Sequence, residues 1–240
     1  MEKNHDSEKP PTHNERFTRY SGLIDPEVIR SKPIIILGCG AIGAALARQL
    51  AAMGFEFFVL YDDDVVSAEN LGTQGWRPAQ LGLQKVEALR SDIAGINPQV
   101  TGFDAERRAD AVDMRELMEV AEHQRAFVFM CVDSMDARKE ITTGIWESPH
   151  DNICVFDARM GLSTLRAFCL HSDESWAHWQ ESWFPAAEAH QGQCTMQSTY
   201  YTASMAASVL SALAIQQLIG GILPHEVQCN LSSFDMVTKY

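Results

Sequence analysis

The sequence predicts an α/β fold: a doubly wound, mainly parallel sheet with a smaller C-terminal extension. Three observations carry that expectation. Apolar runs at 33–37, 55–61 and 126–132 do not alternate with polar residues, as is usual for strands buried on both faces. Helical stretches separate such runs, and strand–helix–strand alternation favours parallel crossovers. The first run ends in a glycine-rich loop, Gly38-Cys39-Gly40-Ala41-Ile42-Gly43, where doubly wound sheets turn from a strand into a helix.

Residues 1–15 are polar and charged and read as a disordered tail before a single domain over 16–240. A short helical or irregular lead-in fills 16–30. The first strand takes 33–37, where β-branched residues dominate. The first helix covers about 41–53, with Ala, Ile, Leu and Met on its apolar face, and the second strand is 56–61. An irregular stretch occupies 62–81; loops of that length in compact domains are usually functional. The second helix spans about 83–95, with Val86, Leu89 and Ile93 on one stripe and Gly95 and Asn97-Pro98 ending it. Then come a strand at about 99–103, a helix at about 112–122, a strand at 126–132 and a helix from 135 to about 146. Strands at 153–157 and about 163–170 precede a second irregular stretch, 171–198. A helix at 199–219 and a short strand near 226–231 close the fold.

Of the 240 residues, 46% are hydrophobic and 21% charged, ordinary for a globular domain with a substantial core. The formal net charge is −13, which disfavours nucleic acid and anionic membranes as partners. None of the six cysteines falls in a CxxC pair, so a structural zinc is not expected. Most of these thiols lie in or beside apolar runs, and residues 1–15 do not resemble a signal peptide; both features imply a reducing, cytoplasmic setting. The stretch 200–219 approaches membrane-spanning length, but Thr202, Ser204, Ser208, Ser211, Gln216 and Gln217 interrupt it, and it reads as a buried helix. Its small residues Ala203, Ala207 and Ser211 recur every four positions, which lets a second element approach closely.

The glycine loop has the form of a Rossmann-type nucleotide loop. Gly38, Gly40 and Gly43 permit a tight turn and close backbone approach, and the helix that opens at Ala41 offers its unpaired N–H groups to a phosphate. The alternative is a plain strand–helix turn. Asp62 lies about twenty residues past the loop, where an acid commonly binds ribose hydroxyls. That ribose is shared by NAD and ATP, so Asp62 does not separate them. In Asp62-Asp63-Asp64 three carboxylates repel one another; one is expected to bind a ligand and the other two to face solvent.

Splitting ATP requires cations on the triphosphate and usually an acidic metal ligand. Lys85 is a cation candidate. It falls in the first turn of the second helix, where the macrodipole disfavours positive charge unless a polyphosphate compensates; a solvent-facing lysine is the alternative. Asp133 directly follows the 126–132 strand, and the carboxyl ends of parallel strands face the ligand crevice. It suits Mg²⁺, or else it or Ser134 caps the next helix. Arg138 is either a surface charge or a positioning group.

Taken together these residues resemble the ThiF/MoeB/HesA family, related to ubiquitin-activating enzymes. Arg16-Phe17-Thr18-Arg19 is similar to the family's arginine entry motif, and Gly38 to Gly43 to its nucleotide loop. Asp62-Asp63-Asp64-Val65-Val66, Asn70-Leu71 and Gln74 resemble its acid–Asn-Leu–Gln segment. Gln84-Lys85-Val86-Glu87, Ile96-Asn97-Pro98 and Asp133-Ser134 with Arg138 are similar to the family's later segments, the last of them its metal-binding acid. The resemblance implies an adenylyltransferase: the C-terminal glycine carboxylate of a small ubiquitin-like protein attacks the α-phosphate of Mg·ATP, and pyrophosphate leaves. It implies a nucleotide site of Gly38, Gly40, Ala41, Gly43, Asp62, Asp64 and Gln74. Asp62 would hold the ribose, Asn70 and Lys85 would stabilise phosphate charge, and Asp133 would bind Mg²⁺. Arg19 would reach the triphosphate from the neighbouring subunit of a homodimer.

Three departures from the family pattern stand out. Thr73 occupies the place of a phosphate-binding arginine, a loss worth about 2–4 kcal/mol in the transition state by analogy with oxyanion donors; Arg77 is the candidate substitute. The zinc-binding cysteine pairs of the bacterial members are absent, and Tyr20 follows the entry motif in place of a polar residue. Some relatives carry the acyl group on a cysteine as a thioester. Cys194, in the polar loop Gln191-Gly192-Gln193-Cys194-Thr195, is the candidate here, with a packed and inert cysteine the favoured alternative. Trp176, Trp179 and Trp183 fall on one face of a short helix; they read as core, or alternatively as a docking surface. Two rival functions remain: a catalytically degenerate regulatory member, favoured by Thr73, and an NAD-dependent dehydrogenase, which leaves Asn70, Gln74, Lys85 and Asp133 without roles.

Overall fold

The computed structural model describes residues 22–108, 125–146, 153–184 and 199–240. Its elements are, in chain order, α1 (Pro26–Arg30), β1 (Ile34–Leu37), α2 (Ala41–Ala52), β2 (Phe57–Tyr61), α3 (Leu71–Gln74), α4 (Lys85–Ile96), β3 (Thr101–Ala105) and β4 (Ala126–Met130). They continue with α5 (Met135–Trp146), β5 (Ile153–Met160), β6 (Thr164–Leu170), α6 (Asp173–Glu181), α7 (Tyr200–Leu218), β7 (Glu226–Asn230) and β8 (Asp235–Lys239). The strands form one eight-stranded sheet in the order β3-β2-β1-β4-β5-β6-β7-β8. β1 to β5 are parallel, and β6, β7 and β8 add antiparallel to β5 in turn. The doubly wound, mainly parallel sheet with a smaller C-terminal extension is thus the observed architecture.

Each central parallel strand is apolar on both faces because each face is covered. Ile34 and Ile36 pack with residues of α2, α4 and α7 on one side. Ile35 and Leu37 pack with residues of α5 and α6 on the other. The small residues Ala203, Ala207 and Ser211 of α7 are buried, and Gln49 of α2 bonds the hydroxyls of both Ser208 and Ser211 at 3.2 Å. Among the described residues no helix is long and apolar enough to cross a membrane. On the opposite face, Trp146, Trp176 and Trp179 form a stacked ladder with centroid spacings of 4.9 and 5.3 Å. Trp176 and Trp179 are buried, so the tryptophan stripe is core.

Several boundaries differ from the sequence expectation. The stretch 62–81 is not irregular throughout: it holds two short 3-10 turns, Ala68–Asn70 and Pro78–Gln80, around α3. Within 171–198, α6 forms because Ser172 caps it, accepting from Ser175 N at 3.2 Å. β3 starts two residues late because Asn97 builds a turn first, its Oδ1 accepting from Gln99 N. β5 runs on to Met160, paired with β6, and β8 was not foreseen. The helix expected at 112–122 lies outside the described residues.

Candidate functional site

The site grows from the register of three strands. Leu37 aligns with Tyr61 of β2 and with Met130 of β4, so the three chains leave the sheet at one level. Strand order reverses at β1, which makes the gap between β1 and β4 the topological switch point where such sheets bind ligands. The glycine loop enters it from β1 and the Cys131-Val132-Asp133 segment from β4.

Two glycines make the loop possible. Gly38 has φ +95°, and a Cβ there would lie 2.8 Å from the carbonyl oxygen of Cys131. At Gly43 a Cβ would fall 1.9 Å from the Gly38 oxygen, so the first turn of α2 packs directly onto the loop. Gly40, the N-cap of α2, is different: a Cβ there meets nothing within 4 Å. Among the described residues no side chain caps this helix end. Its first-turn N–H groups are thus without a side-chain cap, the arrangement that suits a phosphate.

Asp62 braces the loop. Its Oδ2 accepts from Cys39 N at 2.7 Å and its Oδ1 from Asp64 N at 2.9 Å. Burial raises its pKa above the ordinary carboxylate value, and the nearby Lys85 and these two N–H bonds offset only part of that. Lys85 is the first residue of α4 and is buried, so the solvent-facing alternative is corrected. Its Nζ donates to Asp64 Oδ2 at 2.6 Å and lies 3.9 Å from Asp62 Oδ1. Asp64 thus supplies the compensating charge that a polyphosphate was expected to provide; Asp63 and Asp64 are both exposed, as expected of two of the three acids, and Asp62 is buried.

The chain between these acids and α4 is tightly tied. Asn70 Oδ1 accepts from Ser67 N at 3.1 Å, closing its own 3-10 turn. Gln74 Oε1 accepts from Trp76 Nε1 at 2.9 Å, and its carbonyl from Arg48. Thr73 bonds back to the Glu69 carbonyl at 3.3 Å. The guanidinium of Arg77 pairs with Asp92, which also holds Arg48 and Gln80. Arg77 is thus tied to α4 through Asp92 while its side chain remains largely exposed.

Asp133 is exposed one residue beyond Val132, and it is Ser134, accepting from Ala137 N at 3.2 Å, that caps α5. The capping alternative for Asp133 falls away, and an exposed carboxylate at a strand's carboxyl end remains, an oxygen donor of the kind Mg²⁺ takes. Arg138 is buried and not a surface charge. It donates to the carbonyls of Met130 and Val132 and pairs with Asp157, a fully buried acid of β5. Asp157 also accepts from Trp179 Nε1 and Arg159 Nε, each at 2.8 Å. Sequence reasoning missed Asp157; the available signal was a carboxylate ending the apolar run Ile153-Cys154-Val155-Phe156, which can be buried only with partners.

Burial raises the Cys39 thiol well above its usual pKa and brings Cys131 to about 12, which disfavours the thiolate at both of these neighbours of the loop. Arg16, Arg19, Tyr20 and Cys194 lie outside the described residues. Gly38, Gly40, Ala41, Gly43, Asp62, Asp64, Lys85 and Asp133 do converge on the carboxyl ends of β1, β2 and β4.

The comparisons with known proteins bear on the family and the fold. The model of the ThiF family matches residues 16–239. A ubiquitin-like modifier-activating enzyme 5 from Bombyx mori is 31% identical over 128 residues, covering 49% of this chain and 32% of that protein. A molybdopterin-synthase adenylyltransferase from Salmonella typhimurium is 31% identical over 121 residues, covering 50% of this chain and 47% of that protein. The chain thus spans less than half the length of either curated relative. Among solved structures, PaaA superposes with a TM-score of 0.72 at 19% identity, covering all of this chain and 77% of that one. E. coli MccB solved with ATP superposes with a TM-score of 0.70 at 16% identity, covering 94% and 71%. Likeness at that identity bears on the fold.

Proposed function

The chain belongs to the ThiF family, and from that premise we propose that it is an ATP-dependent adenylyltransferase activating a carboxylate, the C-terminal glycine of a small ubiquitin-like protein. The observation that carries this reading is the placement, at the carboxyl ends of adjacent parallel strands, of an uncapped helix end after β1, a buried lysine paired with the acids after β2, and an exposed acid after β4. The names of the relatives, a ubiquitin-like modifier-activating enzyme and a molybdopterin-synthase adenylyltransferase, support the reaction class.

In this reading an oxygen of the substrate carboxylate attacks the α-phosphorus of ATP. The bond from that phosphorus to the α–β bridging oxygen breaks, and pyrophosphate leaves with the electron pair. The product is an acyl-adenylate. N–H groups of Gly40, Ala41 and Gly43 take phosphate oxygens. Asp62 fixes the loop and keeps lone pairs for a ribose hydroxyl. Lys85 and Asn70 meet charge on the phosphates, with Lys85 partly released from Asp64, and Gln74 holds the loop beside them. Asp133 would hold Mg²⁺, which when bound would neutralise charge on the polyphosphate. Arg19 completes the site from a second subunit, and Cys194 is the position for a subsequent thioester.

The test is ATP–pyrophosphate exchange with a ubiquitin-like protein ending in Gly-Gly. Exchange that disappears in Asp133→Ala supports the reading. Thr73, together with the engagement of Arg77 by Asp92, favours a second reading, a regulatory member that binds nucleotide without turning it over. ATP binding without exchange, with the partner present, is the outcome that selects it. Reduction of a nicotinamide coenzyme would instead select the dehydrogenase.

A further inference from the structure

We propose that Asp157, a residue of β5 outside the nucleotide loop, is a positioning residue for the metal-binding acid Asp133 and acts on it through Arg138; this rests on the adenylyltransferase reading for the role of Asp133. The backbone links the three. β4 ends at Met130, so the carbonyls of Met130 and Val132 lie at the margin of the ladder and need donors. Arg138 supplies them, reaching back from the first turns of α5 to both oxygens. The Val132 carbonyl belongs to the same planar peptide unit as the Asp133 nitrogen, so fixing that oxygen fixes the plane from which Asp133 projects. On the other side of Asp133, Ser134 caps α5, and its carbonyl accepts from Arg138 N at 3.1 Å. Asp133 is therefore held from both sides while its carboxylate stays exposed.

A guanidinium cannot stay at that depth without a counter-charge. Asp157 provides it. It is fully buried and level with Met130 in the β4–β5 register, hence beside the carbonyls that Arg138 serves. Its second oxygen is pinned by Trp179 Nε1 and Arg159 Nε. The chain of contacts runs from α6 through β5 to the turn that presents Asp133, with each guanidinium bond directed at a named oxygen.

Mn²⁺ binding, followed by the free-ion EPR signal in the presence of a non-hydrolysable ATP analogue, tests this directly. Removing a partner that orients a metal ligand commonly weakens metal affinity roughly 10–100-fold. Asp157→Asn and Arg138→Lys are expected to raise the Mn²⁺ dissociation constant by about that factor, and the Mg²⁺ requirement of exchange with it. Nucleotide affinity measured without metal should stay unchanged. Trp179→Phe, which keeps an aromatic ring and loses the indole donor, should give a smaller change in the same direction. Arg90→Lys, which loosens the Asp104 pair joining α4 to β3 and shares no partner with Asp157, should lower thermal stability and leave Mn²⁺ affinity alone. Unchanged Mn²⁺ affinity in folded Asp157→Asn overturns the proposal; should that variant not fold, unchanged affinity in both Arg138→Lys and Trp179→Phe does so. Loss of Mn²⁺ affinity in Arg90→Lys, matched to its loss of stability, would also overturn it. Failure of the underlying reading is distinct: wild-type protein would then bind no Mn²⁺ through Asp133, and Asp133→Ala would change nothing.

Discussion

Gly38 and Gly40 stand two positions apart and should respond to a methyl group in opposite ways. At Gly38 the positive φ and the Cys131 carbonyl both exclude a Cβ. Gly38→Ala is expected to destabilise the fold by about 2 kcal/mol or more, read from the urea midpoint. At Gly40 nothing lies within 4 Å of the added carbon. Gly40→Ala should leave that midpoint within about 0.5 kcal/mol of wild type and weaken ATP binding about tenfold by calorimetry, the added methyl standing where a phosphate oxygen approaches. Equal affinities would place the nucleotide elsewhere. Lys85 illustrates a finer point. Its location in a helix's first turn was legible in the sequence, but its burial was not, because the neutralising acid lies 21 positions earlier and only folding sets them 2.6 Å apart.

At the scale of elements, Glu226 joins four of them. This fully buried carboxylate of β7 accepts from Arg166 of β6, His178 of α6, Lys239 of β8 and its own neighbour Gln228. Burial, the largest influence, opposes its charge, yet these bonds together lower its pKa to about 2. An unfolded glutamate titrates near ~4.3. Because the folded value is the lower, the stabilisation is complete above about pH 4.3 and is lost as the pH falls towards about 2. Glu226→Gln should therefore be less stable than wild type at pH 7, with the gap in urea midpoint closing across that acid window; a constant gap would contradict the assignment. This hub, like Asp157, was invisible to a reading along the chain. Its partners lie up to 60 positions away and are selected by strand register. The parallel strands were legible because their apolar runs are continuous. β8 was not: it is an edge strand exposed at every position, so no burial pattern marks it. The positions of the glycine loop, Asp62 and Asp133 were legible because each sits at a fixed offset from a strand end.

For the whole molecule, the adenylyltransferase reading makes stability depend on nucleotide. Mg·ATP at a hundred times its dissociation constant should add about 2.7 kcal/mol, or roughly 5–10 °C in Tm for a domain of this size. An unmoved Tm at saturating ATP would count against a nucleotide site in this fold. The assembly expectation is tested by mixing: Arg19→Ala and Lys85→Ala, each inactive alone, should restore part of the exchange activity when combined, since one mixed site would then be intact. No recovery on mixing would assign Arg19 to its own subunit. The aromatic ladder offers a way to watch these events. Of the five tryptophans in the chain, three are the stacked Trp146, Trp176 and Trp179, and a fourth, Trp183, donates to the Met135 carbonyl at the start of α5 and lies under Lys139. Four of the five indoles therefore lie on the face behind Asp133. The near-ultraviolet dichroism of coupled rings should be strong there, giving the protein an optical signal of its own for metal arrival, with no dye attached.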